Sequence, residues 1–138
     1  MAKPKLTCFL IDDDPDDQEI FAMTLQEVNQ SFLCVTANNG IQALEKLSAQ
    51  VSFVPDFIFL DLNMPLMSGK DCLVEIKKAA HLKQVPVIIY STSSHQKDVD
   101  DVKKIGAAHF LIKPSNINVL AKILSRLFEK EALPFLLN

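Results

Sequence analysis

A chain of 138 residues, 49% hydrophobic and 22% charged, is long enough to bury a core as one domain and has the balance of an ordinary globular protein. Its net charge of -3 speaks against a general nucleic-acid or anionic-membrane binder, which carries a basic stripe, and no apolar stretch approaches a membrane span. Three well-separated cysteines, Cys8, Cys34 and Cys72, speak against a disulfide framework and fit reduced thiols in a cytosolic core.

In chain order, "KLTCFLI" (5–11) reads as a first strand, too short for a signal peptide and running directly into aspartates. Five of the six residues from Asp12 to Asp17 are acidic. Asp14-Pro15-Asp16-Asp17 reads as a helix start, with Asp14 as N-cap, Pro15 in the first position and acids favoured by the helix dipole. A helix over 16–28 follows, then a strand at "FLCVTA" (32–37) and a weaker helix over 41–47. "PDFIFL" (55–60) is the third strand. Leu73, Ile76 and Ala80 mark the next helix, and "VPVIIY" (85–90) the fourth strand, with Pro86 just inside it. Val99, Val102 and Ile105 mark a helix closed by Gly106. After "AHFLI" (108–112), Ile117, Leu120, Ala121, Leu124, Leu127 and Phe128 keep the i, i+3, i+4 spacing of a last helix, for which Ser115 is the expected N-cap. No linker divides the chain, so residues 1–130 form one domain followed by an apolar tail, 131–138. Strand and helix alternate five times, which implies an α/β fold: a doubly wound parallel sheet with helices on both faces.

Polar residues fall at the ends of these strands. Asp12 and Asp13 follow the first, Asp61 the third, Ser91 the fourth and Lys113 the fifth. In a parallel sheet the strand C-termini share one edge, and ligands bind where strand order reverses. Taken singly, these residues read as caps, turns or a surface lysine; taken together they form a site. Crowded carboxylates must be neutralised, and Mg²⁺ suits carboxylate, carbonyl and water ligands at about 2.1 Å. A lysine and a hydroxyl are superfluous for the metal alone. They suit a further anion with several oxygens, such as the acyl phosphate made when a carboxylate accepts a phosphoryl group in line. Asp14, Asp16 and Asp17 are assigned to the helix start, and Pro65 and Gly69 to a bend without chemistry. His81, His95 and His109 lack metal-ligand spacing.

With "LIDDDP", "FLDLNMPLMSG", "VIIYSTS" and "HFLIKP" in order over roughly residues 5 to 129, the chain resembles the receiver domain of two-component response regulators, of the single-domain chemotaxis-regulator type. The resemblance implies a flavodoxin-like fold with strand order 2-1-3-4-5. It implies Asp61 as phospho-acceptor and Mg²⁺ held by Asp12, Asp13, Asp61 and the Asn63 backbone carbonyl, with Asp12 acting through metal-bound water. Lys113 and Ser91 would bind the phosphoryl group, Ser91 and Phe110 would switch, and the Lys113–Pro114 bond would be cis. Ser91 stands where the family more often has threonine, which keeps the hydroxyl without the β-branch. The implied partners are a histidine kinase or phosphotransfer protein and a downstream protein target on the face of helix 4, strand 5 and helix 5. Nucleic acid and membrane are not expected as partners, the implied compartment is the cytoplasm, and a homodimer stays open. The implied chemistry is self-phosphorylation and autodephosphorylation only, with no enzyme acting on a separate metabolite and no attached output domain.

Three other readings compete with this one. An aspartyl-phosphate phosphatase of the haloacid-dehalogenase type needs a second aspartate two residues after the nucleophile, and Asn63 stands there. An EF-hand beginning at Asp12 needs glycine and glutamate where Asp17 and Met23 stand. A phosphorylation-independent interaction module on the same fold ranks behind, because each site residue type is present. The tail "ALPFLLN" either folds back over the last helix or an adjacent groove, or joins a partner or second copy.

Overall fold

Strands and helices alternate along the chain in the computed structural model, which describes residues 6–49 and 52–138. They are β1 (Thr7–Ile11), α1 (Pro15–Val28), β2 (Leu33–Ala37), α2 (Gly40–Ala49), β3 (Phe57–Leu60), α3 (Gly69–Lys78), β4 (Val87–Ser91), α4 (Gln96–Ile105), β5 (His109–Ile112) and α5 (Ile117–Phe128), with a short 3₁₀ turn at Ala80–Leu82. The five strands form one sheet in the order β2-β1-β3-β4-β5. All four neighbouring pairs are parallel. The chain goes outward from β1 to β2, then returns past β1 to β3, so the direction of winding reverses between β1 and β3. Ile11 and Leu60, the last residues of those strands, lie side by side there.

Side-chain alternation along the strands divides the core in two. Phe9, Ile11, Ile58, Leu60, Val87, Ile89 and Phe110 point to one face and pack with Ala43, Leu47, Leu73, Ile76 and Val102 of α2, α3 and α4. Cys8, Leu10, Phe57, Phe59, Ile88, Tyr90 and Leu111 point to the other, against Phe21 and Leu25 of α1 and Leu120, Leu124 and Leu127 of α5. Every residue of β3 and β4 is buried, which is why those runs are continuously apolar. Each large side chain so buried contributes roughly 1.5–3 kcal/mol relative to exposure.

Asp14 caps α1, accepting from the amides of Asp16 at 2.9 Å and Asp17 at 3.3 Å, with Pro15 next to it as expected. Gly106 ends α4 at φ +124°, a conformation that L side chains rarely adopt. The expected cap of α5 shifts by one residue. Asn116, not Ser115, takes the extended cap conformation, and its carboxamide oxygen accepts from the amides of Asn118 (2.7 Å) and Val119 (3.4 Å), while Ser115 lies one residue outside the cap position. Helix α3 ends at Lys78, and Ala80 lies in the 3₁₀ turn beyond it.

The Lys113–Pro114 bond is trans, contrary to expectation, because no cis peptide occurs among the described residues. The trans form of an X–Pro bond is favoured by about 0.5–1 kcal/mol. The Lys113 amide donates to the Ser91 carbonyl at 2.9 Å, continuing the β4–β5 ladder. After α5 the chain turns at Lys130 (φ +58°) and comes back to the open side of β5, where Leu136 makes a parallel bridge to Phe110. No helix among the described residues is long and apolar enough to cross a membrane.

Candidate functional site

At the point of reversal, the first residues beyond β1 and β3 are both aspartates, each held by a strand neighbour. The Asp12 amide donates to the Ala37 carbonyl and the Asp61 amide to the Ile11 carbonyl, both at 3.0 Å. These bonds extend the sheet ladder by one residue, so both carboxylates project from a rigid edge. Asp12 is fully buried and Asp61 nearly so, while Asp13 is exposed. One oxygen from each of the three lies within 4.8 Å of the others. Such a group of oxygen donors fits a small divalent cation, whose charge would offset their repulsion.

Lys113, delivered by the end of β5, reaches into this group. Its Nζ lies 2.8 Å from Asp12 Oδ2, 2.7 Å from Asp17 Oδ2 and 3.5 Å from Asp61 Oδ2. It also stands 5.3 Å above the ring of Tyr90. One ammonium against Asp12, Asp13, Asp17 and Asp61 leaves the group formally at 1 − 4 = −3. Burial pushes the Asp12 carboxyl above the usual carboxylate range, opposed by the Lys113 ammonium and the Asp14 amide at 3.0 Å. For Lys113, burial pulls downward, but the hydrogen bonds to Asp12 and Asp17 outweigh it and hold the ammonium above its ordinary range.

The other expected residues take less direct positions. Asn63 lies in the loop after Asp61, its amide donating to Asp61 Oδ1 at 3.2 Å. Ser91 is fully buried at the end of β4, and its hydroxyl oxygen accepts from the Ser93 amide at 3.3 Å, the turn contact expected of a serine in that stretch. Phe110 is fully buried on the α2–α3–α4 side of the sheet.

Two residues of the site carried no chemistry in the sequence. Asp17, read only as part of a helix start, shares Lys113 with Asp12. The signal was its place at the third helical position, where a side chain turns back across the N-terminus. Gly69 was read as a bend, yet a Cβ there would sit 2.3 Å from the Asp61 carbonyl oxygen and 2.6 Å from Leu62 Cα. Its amide donates to the Leu62 carbonyl at 3.0 Å. The glycine lets α3 begin directly against the backbone that carries Asp61. Gln18 adds a brace, its amide group donating to the Asp12 carbonyl at 2.6 Å and to Asn38 Oδ1 at 2.9 Å.

Comparison with known proteins bears on this site. The family model of the response regulator receiver domain matches residues 8–125. The chain is 27% identical over 126 residues to the response regulator Rcp1 of Synechocystis, covering 88% of this chain and 86% of that one. It is 33% identical to the probable transcriptional regulator ycf29 of Pyropia yezoensis over 83% of its own length. It spans only about half (51%) of ycf29. The phosphorylated cyanobacterial phytochrome response regulator RcpA superposes with a TM-score of 0.82 at 28% identity, over 91% of this chain and 93% of that one. A Mn²⁺-bound structure of Rcp1 superposes at 0.75 with 28% identity, over 96% and 99% of the two chains.

Proposed function

The chain belongs to the family of response regulator receiver domains, and from that premise we propose that it is a phosphoryl-accepting signalling module with Asp61 as the acceptor. The observation that carries this reading is the sharing of one lysine among Asp12, Asp17 and Asp61, in a group that the neighbouring Asp13 brings to a formal charge of −3 at the reversal of strand order. A surplus of this kind is destabilising unless a cation and, after it, an anion that Lys113 can hold belong there.

The donor is a phosphohistidine on a histidine kinase or phosphotransfer protein. An Asp61 carboxylate oxygen attacks phosphorus; the O–P bond forms as the P–N bond breaks, and the departing imidazole takes its proton from solvent. Mg²⁺, held by Asp12, Asp13, Asp61 and the Asn63 carbonyl, would supply positive charge to the phosphoryl oxygens, as Mn²⁺ is bound by Rcp1. Lys113, 3.5 Å from Asp61 Oδ2, gives up part of its contact with Asp12 and Asp17 to take a phosphoryl oxygen. Ser91 turns its hydroxyl from the Ser93 amide towards the same group, and Phe110 moves into the space it leaves. The message then passes to a protein target through the face of α4, β5 and α5, whose outer residues Gln96, Lys97, Asp100, Lys103 and Lys104 are polar and suit a reversible contact.

Mass spectrometry after treatment with acetyl phosphate and Mg²⁺ tests this. One added phosphoryl group is expected on the wild type and none on Asp61→Asn or in excess chelator. Wild-type labelling of Asp61→Asn would refute the acceptor. A folded wild type that never labels would leave an interaction module independent of phosphorylation.

A further inference from the structure

Of the three carboxylates that meet Lys113, Asp17 alone lies outside the group suited to a cation, which is Asp12, Asp13 and Asp61. It comes from a different element, the first turn of α1. That turn is fixed by Asp14, whose Oδ1 accepts from the Asp17 amide at 3.3 Å and whose carbonyl accepts from the Gln18 amide at 3.0 Å. The lysine ammonium has a limited set of N–H donors to share. It donates to Asp12 at 2.8 Å and to Asp17 at 2.7 Å, while Asp61 Oδ2, at 3.5 Å, is in ion-pair range without a hydrogen bond. The Asp17 side chain is also the most exposed of the three, at 30% against 9% for Asp61 and 0% for Asp12. Its pull on the ammonium is therefore towards solvent and away from the acceptor.

We infer that Asp17 is a positioning residue with two opposed effects on phosphoryl transfer: its charge strengthens the hold on the cation, and its bond to Lys113 keeps the ammonium back from the phosphoryl oxygens. The inference rests on Asp61 as acceptor. A cation held by Asp12, Asp13 and Asp61 competes with Lys113 for Asp12, whereas nothing in that group competes for Asp17. Asp17 is then the tie that an incoming phosphoryl group has to break. With it in place, Lys113 must leave a 2.7 Å charge-assisted hydrogen bond before it can serve the reaction. Without it, the ammonium is free to meet negative charge as it develops on the phosphoryl oxygens. The same carboxylate is one of four negative charges around a single ammonium. Its loss takes the group from −3 to 1 − 3 = −2 and weakens the attraction for a cation.

The test compares Asp17→Ala, Asp17→Asn and Asp17→Glu in the full chain. Calorimetric titration with Mg²⁺, in the absence of any phosphoryl donor, should show the dissociation constant rising about three- to tenfold in Asp17→Ala and staying near wild type in Asp17→Glu. Labelling by acetyl phosphate at saturating Mg²⁺ should move the other way, about three- to tenfold faster in Asp17→Ala. The gain should be smaller in Asp17→Asn, whose carboxamide oxygen can still accept from Lys113, and absent in Asp17→Glu. In a Lys113→Ala background the gain in rate should vanish while the loss of metal affinity persists, because only the first acts through the lysine. A fall of rate and affinity together in Asp17→Ala, as from a loosened start of α1, overturns the proposal. So does a gain in rate that survives in the Lys113→Ala background. A wild type that labels at Asp61 with no gain in Asp17→Ala overturns this inference alone, whereas a wild type that never labels overturns it together with the acceptor role of Asp61.

Discussion

Two lysines in this molecule each sit among several aspartates, and they do different things. Lys70, at the start of α3, lies 2.6 Å from Asp98 and 2.9 Å from Asp101 of α4, and Lys97 adds 2.8 Å to Asp101. That group is balanced, two cations against two anions, and solvated. Asp101 is lowered to about 2, chiefly by its hydrogen bonds to Lys97 and Lys70. The Lys113 group is unbalanced and centred on the buried Asp12 and Asp61, and the leading influence on Asp12 is burial, which pushes its carboxyl upward. Number and distance of ion pairs do not separate a brace from a site. Charge surplus and burial do, because solvent screens the first group while the second has to find its neutralisation within the protein or in a ligand.

The largest effect should come from removing the lysine of the buried group. Lys113→Ala leaves Asp12 and Asp61 with no cation, and loss of one partner from a buried pair costs about 3–5 kcal/mol; Mg²⁺ should restore part of this in thermal melts. A variant as stable as wild type without metal would erase the distinction between the two groups. Next, Gly69→Ala should destabilise by about 1–3 kcal/mol through overpacking against the Asp61 and Leu62 backbone, and it should slow labelling by acetyl phosphate. Equal labelling would show that the close approach of α3 does not position Asp61. Asp13→Ala should abolish Mg²⁺-dependent labelling, yet stabilise the metal-free fold by up to about 1 kcal/mol by relieving repulsion. A loss of stability would mean that Asp13 is not in surplus.

The two groups should also respond to pH in opposite senses. A carboxyl raised by folding gives stability that is fully present below its unfolded value and lost as pH rises through its folded value. Metal-free stability attributable to Asp12 should therefore fall from the ordinary carboxylate range upward, and Asp12→Asn should flatten that fall. A carboxyl lowered by folding gives stability present above its unfolded value and lost as pH falls towards about 2, so Asp101→Asn should act only in acid. The smallest effect is Asp101→Ala at neutral pH and physiological salt, where melting should barely move. A large shift there would show that the exposed group is a true brace.

Asp12, Asp61, Ser91 and Lys113 could be found in the sequence because short, nearly continuous apolar runs mark where strands end, and parallel pairing brings those ends to one edge whatever the loops do. The loops were less legible. Asp17 and Gly69 act through the angle at which α1 and α3 leave the edge, which no local pattern encodes. The cap of α5 moved from Ser115 to Asn116 because both are good caps and one dihedral decides between them. The Lys113–Pro114 isomer rested on resemblance alone, and the bond is trans. The return of the tail was foreseen as an alternative, but its seat on β5 depends on main-chain groups of Phe110 and Ile112 that carry no sequence signature.

The ring beneath Lys113 has an optical consequence. The chain has one tyrosine and no tryptophan, and that tyrosine is Tyr90, 5.3 Å from the Lys113 ammonium and almost wholly buried. Burial raises its phenol to about 12, so it stays un-ionised through the working range of any neutral buffer. Its ultraviolet emission is therefore a single-chromophore signal from a fixed place beneath the acidic group. Any event that draws the ammonium away changes the field across that ring. The unlabelled protein carries its own fluorometer, and cation titrations can be read from it without a dye.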